Sequence, residues 1–248
     1  MANAATATFA GRSLIWAFVK AAGSPTEPKN IGWGSGATTA SANADVALFG
    51  PQTEARVAGT SSLVQTSFLA DTYQVTGTIT ATNAKTITEA GLFDTTSAAS
   101  TTTIATSSQA SGATTITLTA TIGPASGNFY IQVENEVQLV TAGQGTATLT
   151  VVRSQLGTTA AAHAVGTTAT SGADGLANTN ASLGGQTATY ANTTAKGGSI
   201  FAHADFAGIG LNNNDSILFT WRDQLTVWIC SGISASAFLN WLCNSAIV

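Results

Sequence analysis

Between Tyr73 and Ala81 the side chains alternate: Tyr73, Val75, Gly77, Ile79 and Ala81 fall on one face, Gln74, Thr76, Thr78 and Thr80 on the other. A helix brings side chains back to one face every 3.6 residues, so a period of two specifies a half-buried antiparallel strand instead. After a turn at Thr82–Lys85, Thr86–Phe93 (TITEAGLF) repeats the pattern, with Ile87, Glu89, Gly91 and Phe93 on one face. A glutamate on that face is either paired or at an interface; Arg56 and Arg222 are its candidate partners. Far along the chain, Ser199–Phe206 and Ser216–Arg222 read as two more strands around a tight turn at Leu211–Asp215 (LNNND).

Between these halves the texture changes. Ser97–Ala113 is a bland Ser/Thr/Ala stretch, and Thr167–Thr194 is rich in Gly, Asn and Thr. They flank four short strand-like runs, Thr114–Thr119, Asn128–Glu134, Glu136–Thr141 and Thr146–Arg153, with turns at Asn135 and Gly143–Gly145. The chain therefore reads as all-β. Its body is an antiparallel β-sandwich, jelly-roll or immunoglobulin-like, formed by 1–96 and 195–230. A small β-module at 112–170 is inserted into it through linkers at 97–111 and 171–194, an insertion that long flanks make cheap. The apolar segment 231–248 follows as an arm or anchor.

Outside the strands, Ala2–Ala10 suits an extended arm, and Leu14–Val19 (LIWAFV) reads equally as a strand or a helical turn. Thr38–Phe49 reads as a loop with a helical turn near Asp45–Phe49. Phe238, Leu239, Trp241 and Leu242 form a helical stripe, which either covers the end of the sandwich or docks on another subunit. With Trp16, Trp33 and Trp228, these four are the candidate assembly contacts.

Only 8% of residues are charged, against roughly 25% in an ordinary soluble domain. Thr, Ser, Ala, Asn and 25 glycines take the place of the usual ionised cover. Such a surface is neutral and loses little side-chain entropy when covered, which favours association with a partner. The basic residues are scattered singly, so no nucleic-acid footprint is present. Cys230 and Cys243 either pair or stay as buried thiols. Met1–Gly23 does not read as a signal peptide, and Leu225–Val248, the most apolar stretch, is too interrupted to span a bilayer.

Chemistry-bearing residues are sparse. His163 lies in an Ala-rich loop (AAAHAVG) and reads as solvated or bonded to backbone. His203 alternates with Phe201 and Asp205 on one strand face, beside no nucleophile in a strained turn, and reads as a histidine held at a subunit interface. Glu134 and Glu136 flank Asn135 as a solvated hairpin tip rather than a glycosidase pair or Ca²⁺ ligands. Asn212–Asp215 are turn residues, and the GWGSG of Gly32–Gly36 lacks the glycine spacing of a nucleotide site. No catalytic, cofactor-binding or metal-binding residue is assigned.

Asn30–Gly36 (NIGWGSG), Glu54–Gly59 (EARVAG), Gly77–Thr80, Ile87–Asp94 (ITEAGLFD) and Asp215–Trp221 (DSILFTW) resemble a family of small virion proteins of tailed bacteriophages, described as structural, fibre, collar or decoration proteins. The likeness covers about half the chain, in Asn30–Phe93 and Ile200–Trp221. Gly127–Gly166, ending in QLGTTAAAHAVG, is similar to a β-module of phage tail and adsorption proteins. That module commonly has Arg-Gly before its Gly-Thr-Thr, and Ser154 stands here in the place of the glycine, which bears on any turn needing a positive φ there. The resemblance implies a non-enzymatic virion component, assembled in the host cytoplasm, whose partners are copies of itself and other virion proteins. Decoration or cement of the capsid, or a collar or tail station, are the roles it implies. The alternative is a receptor- or carbohydrate-binding module recognising a host-surface glycan, with Phe129 and Tyr130 as the candidate ligand contacts.

Overall fold

The computed structural model describes residues 5–9, 11, 14–15, 26–36, 41–66, 72–105, 107–172 and 197–224. Trp16, Trp228, Phe238, Leu239, Trp241, Leu242, both cysteines and the C-terminal segment lie outside them. The described chain is all-β with antiparallel pairing, compatible with a β-sandwich. It divides into two compact units, one of Met1–Gly59 with Gly77–Phe219, the other of Thr60–Thr76 with Thr220–Val248.

In the first unit a five-stranded sheet runs in the order β1 (Thr6–Ala7), β13 (Ile200–Leu211), β6 (Lys85–Phe93), β2 (Asn30–Gly34), β3 (Val57–Ala58). β6 is its centre; Ile87, Glu89, Gly91 and Phe93 are buried as alternation predicts, but Ala90 and Leu92 are buried too, so from Glu89 onward the strand is covered on both faces. β13 extends to Leu211 rather than ending at Phe206. Its register slips between Asp205 and Ile209, where the strand bulges opposite Thr88. The turn that follows closes as expected, with the Asn212 N–H donating to Asp215 Oδ2 at 2.7 Å and Asn214 at φ 70°. A three-stranded sheet orders β14 (Ser216–Gln224), β5 (Thr72–Thr80) and β4 (Thr60–Val64). Within the first unit, Trp33 of β2 meets Phe219 of β14 edge-on, ring centroids 6.3 Å apart. Gly77 of β5 lies under Ile31, where an added Cβ would stand 3.0 Å from Cδ1. In the second unit, Thr60–Val64 pairs with Thr72–Thr76, and the Arg222 guanidinium donates to Gln74 Oε1 at 2.8 Å.

The middle of the chain forms a six-stranded sheet in the order β7 (Thr101–Thr103), β12 (Thr168–Gly172), β9 (Phe129–Val133), β10 (Glu136–Ala142), β11 (Thr148–Val152), β8 (Thr115–Thr117). A bridge between Ile104 and Leu118, with Ala105 N–H to Thr117 O at 2.9 Å and Thr119 N–H to Thr103 O at 2.8 Å, joins the first strand to the last. The sheet is thereby closed into a small barrel. Ile104, Ile116, Leu118, Phe129, Ile131, Val133, Val140, Leu149, Val151 and Ala169 fill it, and Ile122 enters from the loop after β8. Closure leaves no open edge.

One expectation changes here. The stretches read as linkers at 97–111 and 171–194 are partly barrel: β7 lies in the first, and β12 reaches Gly172 in the second. Their Thr, Ser and Ala residues look featureless, but they pair antiparallel with each other, and β12 also pairs with β9. The barrel also has a side-chain contact with the rest of the first unit. Val46, from the irregular segment 41–50, packs against Tyr130, Val137 and Leu139 on its outer wall.

Candidate functional site

Among the described residues, two buried clusters of titratable groups are each centred on a histidine. The first joins β13, β6 and segment 41–50. His203 and Glu89 are a diagonal pair across antiparallel strands, since His203 stands opposite Gly91 and Glu89 opposite Asp205. His203 Nε2 lies 2.9 Å from Glu89 Oε2, and Nδ1 lies 2.7 Å from Asp45 Oδ2. The Phe49 ring covers the imidazole, centroids 5.0 Å apart. Neither His203 nor Glu89 has solvent-accessible surface.

Glu89 is held further by three backbone amides: Gly50 N–H at 2.7 Å and Gly36 N–H at 3.2 Å on Oε1, and Phe49 N–H at 3.0 Å on Oε2. Space for this comes from glycine. A Cβ on Gly34 would lie 2.2 Å from Glu89 Oε1, and one on Gly36 2.3 Å from the Gly50 nitrogen. The GWGSG run thus makes room for a carboxylate and a chain crossing. Asp45 also accepts the Ala42 N–H at 2.7 Å through Oδ2, while Oδ1 faces Gln132 Nε2 of the barrel at 3.5 Å. Gln132 Oε1 in turn accepts the Val46 N–H at 3.0 Å.

Burial alone would depress the His203 pKa, but hydrogen bonds to Asp45 and Glu89, reinforced by their charges, raise it from 6.5 to about 9. Burial works against the Glu89 carboxylate as well. Its bonds to His203 and the two amides of Phe49 and Gly50 outweigh that and hold its pKa below the usual range. At neutral pH the cluster is an imidazolium between two carboxylates.

The second cluster sits where all six barrel strands turn. Glu136 receives Arg153 through Nε (2.6 Å) and Nη2 (2.5 Å), together with the Ser154 and Ala161 N–H groups, both at 3.2 Å. His163 Nε2 lies 2.8 Å from Glu136 Oε2, and its Nδ1 2.7 Å from Glu134 Oε2. Arg153 also donates to the carbonyls of Ala110 (2.8 Å) and Ala161 (2.5 Å). Beside it Gln109 and Gln138 exchange amide hydrogen bonds at 3.0 and 2.9 Å, and Gln109 and His163 pair through their backbones. Two loops, 105–114 and 153–167, are pinned across this end of the barrel.

These geometries correct several readings. His163 is 2% exposed, not solvated. Glu136 is buried and only Glu134 reaches solvent, because the Asn135 turn sends the two side chains to different environments. Glu89 pairs with His203 rather than with Arg56 or Arg222. His203 is bonded to carboxylates of its own chain instead of waiting at an interface, and Asp205 takes the Ser41 N–H at 2.9 Å. Arg56 lies over the Phe93 ring and donates to the carbonyls of Gly197 (2.6 Å) and Thr95 (3.3 Å), stapling the two chain segments that lead to and from the barrel. Trp33 is 2% exposed and donates its indole N–H to Glu54 at 3.2 Å, a core residue where an assembly contact was expected. Phe129 and Tyr130, at 1% and 3%, offer no ring face to a sugar, one lying inside the barrel and the other against Val46. Ser154 adopts φ 57°, ψ 41°, the left-handed turn that glycine would serve more cheaply.

Glu54 closes the inventory. It accepts from Trp33, from the Thr82 N–H and hydroxyl, and from Lys85; burial works against its charge, but the bonds from Lys85 and Thr82 outweigh it and lower its pKa to about 2. Chemically, these groups act as ties: carboxylate oxygens and imidazole nitrogens are occupied by partners within the chain. Among the described residues no His/Cys/Asp/Glu group has the geometry to hold a metal ion, and no helix is long and apolar enough to cross a membrane. No family model, no curated protein and no solved structure matches this chain.

Proposed function

We propose that this chain is a non-enzymatic structural component of a tailed-bacteriophage particle, acting by self-association and docking on other virion proteins. A decoration or cement role on the capsid, or a collar or tail station, is the finer reading. The observation that carries it is the chemistry of the exposed strand faces. On β8 and β11, Thr115, Thr148 and Thr150 point outward; on β5 and β14, Thr78, Thr80, Ser216 and Thr220 do so. Strands facing bulk water in a free monomer normally carry Lys, Glu and Arg there. Hydroxyl-lined faces lose little side-chain entropy and leave no unpaired charge when a neighbour covers them. Leu218, 65% exposed, adds apolar area between Ser216 and Thr220 on the same face of β14. The resemblance of NIGWGSG, EARVAG, ITEAGLFD and DSILFTW to phage virion proteins supports the same reading.

Sedimentation of the purified chain at micromolar concentration, with quantitative mass spectrometry of purified particles, tests it. Oligomers, and a fixed copy number per particle, are expected. Copies in proportion to the capsid lattice mark decoration, and a small ring number marks a collar or tail station. A monodisperse monomer absent from particles removes the proposal.

A further inference from the structure

We propose that segment 41–50 is a histidine-locked clasp: protonated His203 holds Asp45 and Glu89, the same segment holds the barrel through Asp45 and Val46, and loss of the His203 proton frees the barrel from the body while each keeps its own core.

Segment 41–50 has no helix or strand of its own. On the body side it is held by Glu89, which accepts the Phe49 and Gly50 amides, by Asp205, which accepts the Ser41 amide, by backbone bonds from Phe9 N–H to Asn43 O at 2.7 Å and from Ser35 N–H to Gly50 O at 2.9 Å, and by Leu48, which packs with Phe93 and Ile200. On the barrel side Gln132 receives the Val46 amide, Val46 packs on Tyr130, Val137 and Leu139, and Gly172 passes so close to the Val46 carbonyl that an added Cβ would stand 2.5 Å from it. Asp45 is the shared residue, with one oxygen toward His203 and the other toward Gln132.

The lock follows from hydrogen counting. An imidazolium has two N–H groups, one for each carboxylate; a neutral imidazole has one N–H and one lone pair. Once neutral, His203 turns its lone pair toward either Asp45 or Glu89, and a buried carboxylate loses its donor. Glu89 keeps the amides of Gly36, Phe49 and Gly50, whereas the Asp45 Oδ2 retains only the Ala42 N–H within its own loop. Asp45 is therefore the side that lets go. The charged groups facing His203 from its packed neighbours are Asp45 from the segment and Glu89 from β6. Asp205, two residues along β13, adds a third carboxylate whose pKa the His203 charge also helps lower. All three favour the protonated ring. With the His203 pKa raised from 6.5 to about 9, the contribution is complete below about pH 6.5 and vanishes as pH rises through about 9.

Pulsed hydrogen exchange on the full chain at pH 7 and pH 10, with each rate divided by its intrinsic value, reads the clasp directly. The amide of Val46, next to Asp45, is expected to lose ~10- to 100-fold protection, while Phe49 and Gly50, held by Glu89, and Ile131, Val133, Val140 and Val151 of the barrel keep theirs. In Gln132→Ala the Val46 amide should already exchange faster at pH 7, with Phe49 and Gly50 still protected. His203→Gln should show the pH 10 pattern at pH 7; if that variant does not fold, the wild-type pair of measurements decides. A Val46 amide as protected at pH 10 as those of the barrel overturns the clasp. So does a collapse of all amides together, which would make body and barrel one cooperative unit.

Discussion

Glu89 illustrates how few atoms hold the centre of the body. Its two oxygens take three amides and an imidazolium, and a glycine on the neighbouring strand leaves the space for them. Glu89→Gln keeps the shape but turns an amide nitrogen toward donors that need an acceptor. A loss of about 3–5 kcal/mol in urea unfolding is expected, the range for breaking one side of a buried ion pair. Gly34→Ala reaches the same carboxylate from the other side, displacing it at a cost of about 1–3 kcal/mol. Because both act on one group, the double variant should fall well short of the sum, and a double-mutant cycle measures that shortfall. The partner of Glu89 was not legible in the sequence. His203 lies 114 residues away, and only the β6–β13 register places it on the diagonal. Asp45, 158 residues from His203, had no local signal at all. The Glu136–Arg153 pair was within reach: the β10–β11 hairpin, whose register pairs Leu139 with Val152, carries Arg153 opposite Gln138 and diagonal to Glu136 on the same face.

At the scale of elements, alternation located β5 and β6, and the short apolar runs located β8 to β11, because each carries apolar residues into a core its own pattern announces. β7 and β12 escaped for the opposite reason. TTT and TATSG have no apolar period; they are strands because barrel closure supplies partners on both sides. β4 (TSSLV) escaped likewise. The loop after β11 shows a local conflict that the fold tolerates, with Ser154 at φ 57° and Leu156 at φ 54°. Ser154 makes no side-chain capping bond and is exposed, so Ser154→Gly removes left-handed strain without losing a contact. A gain of about 0.5–1 kcal/mol, read as a raised Tm, is expected. A lowered Tm would mean that the serine contributes something the geometry does not display.

For the whole molecule, the two kinds of buried group set opposite limits on pH. Glu54, Glu89 and Glu136 have pKa values held below 4.5, so their contribution is full above about that pH and is lost as pH falls. His203 behaves in the reverse sense and is lost as pH rises through about 9. Thermal stability should therefore peak between about pH 4.5 and 6.5 and decline on both sides, with His203→Gln flattening only the alkaline limb. A Tm that keeps rising to pH 10 in the wild type would contradict the charged state of His203. The barrel, continuous in sequence and closed on itself, is also expected to fold when residues 97–172 are expressed alone. Dispersed amide resonances and a cooperative melt would show it, at a lower Tm than in the intact chain, because Val46 no longer covers Tyr130 and Leu139.

The strands by which the barrel begins and ends, β7 and β12, are hydrogen-bonded neighbours, and the chain arrives from Phe93 and departs to Ile200, which also face each other across β6 and β13. Arrival and departure points are thus about one strand spacing apart, ~4.8 Å, at both levels. Such a junction is a socket. Any domain whose termini lie side by side can be exchanged for the barrel without re-threading the sheet beneath it, so one body can carry different cargo at the same address.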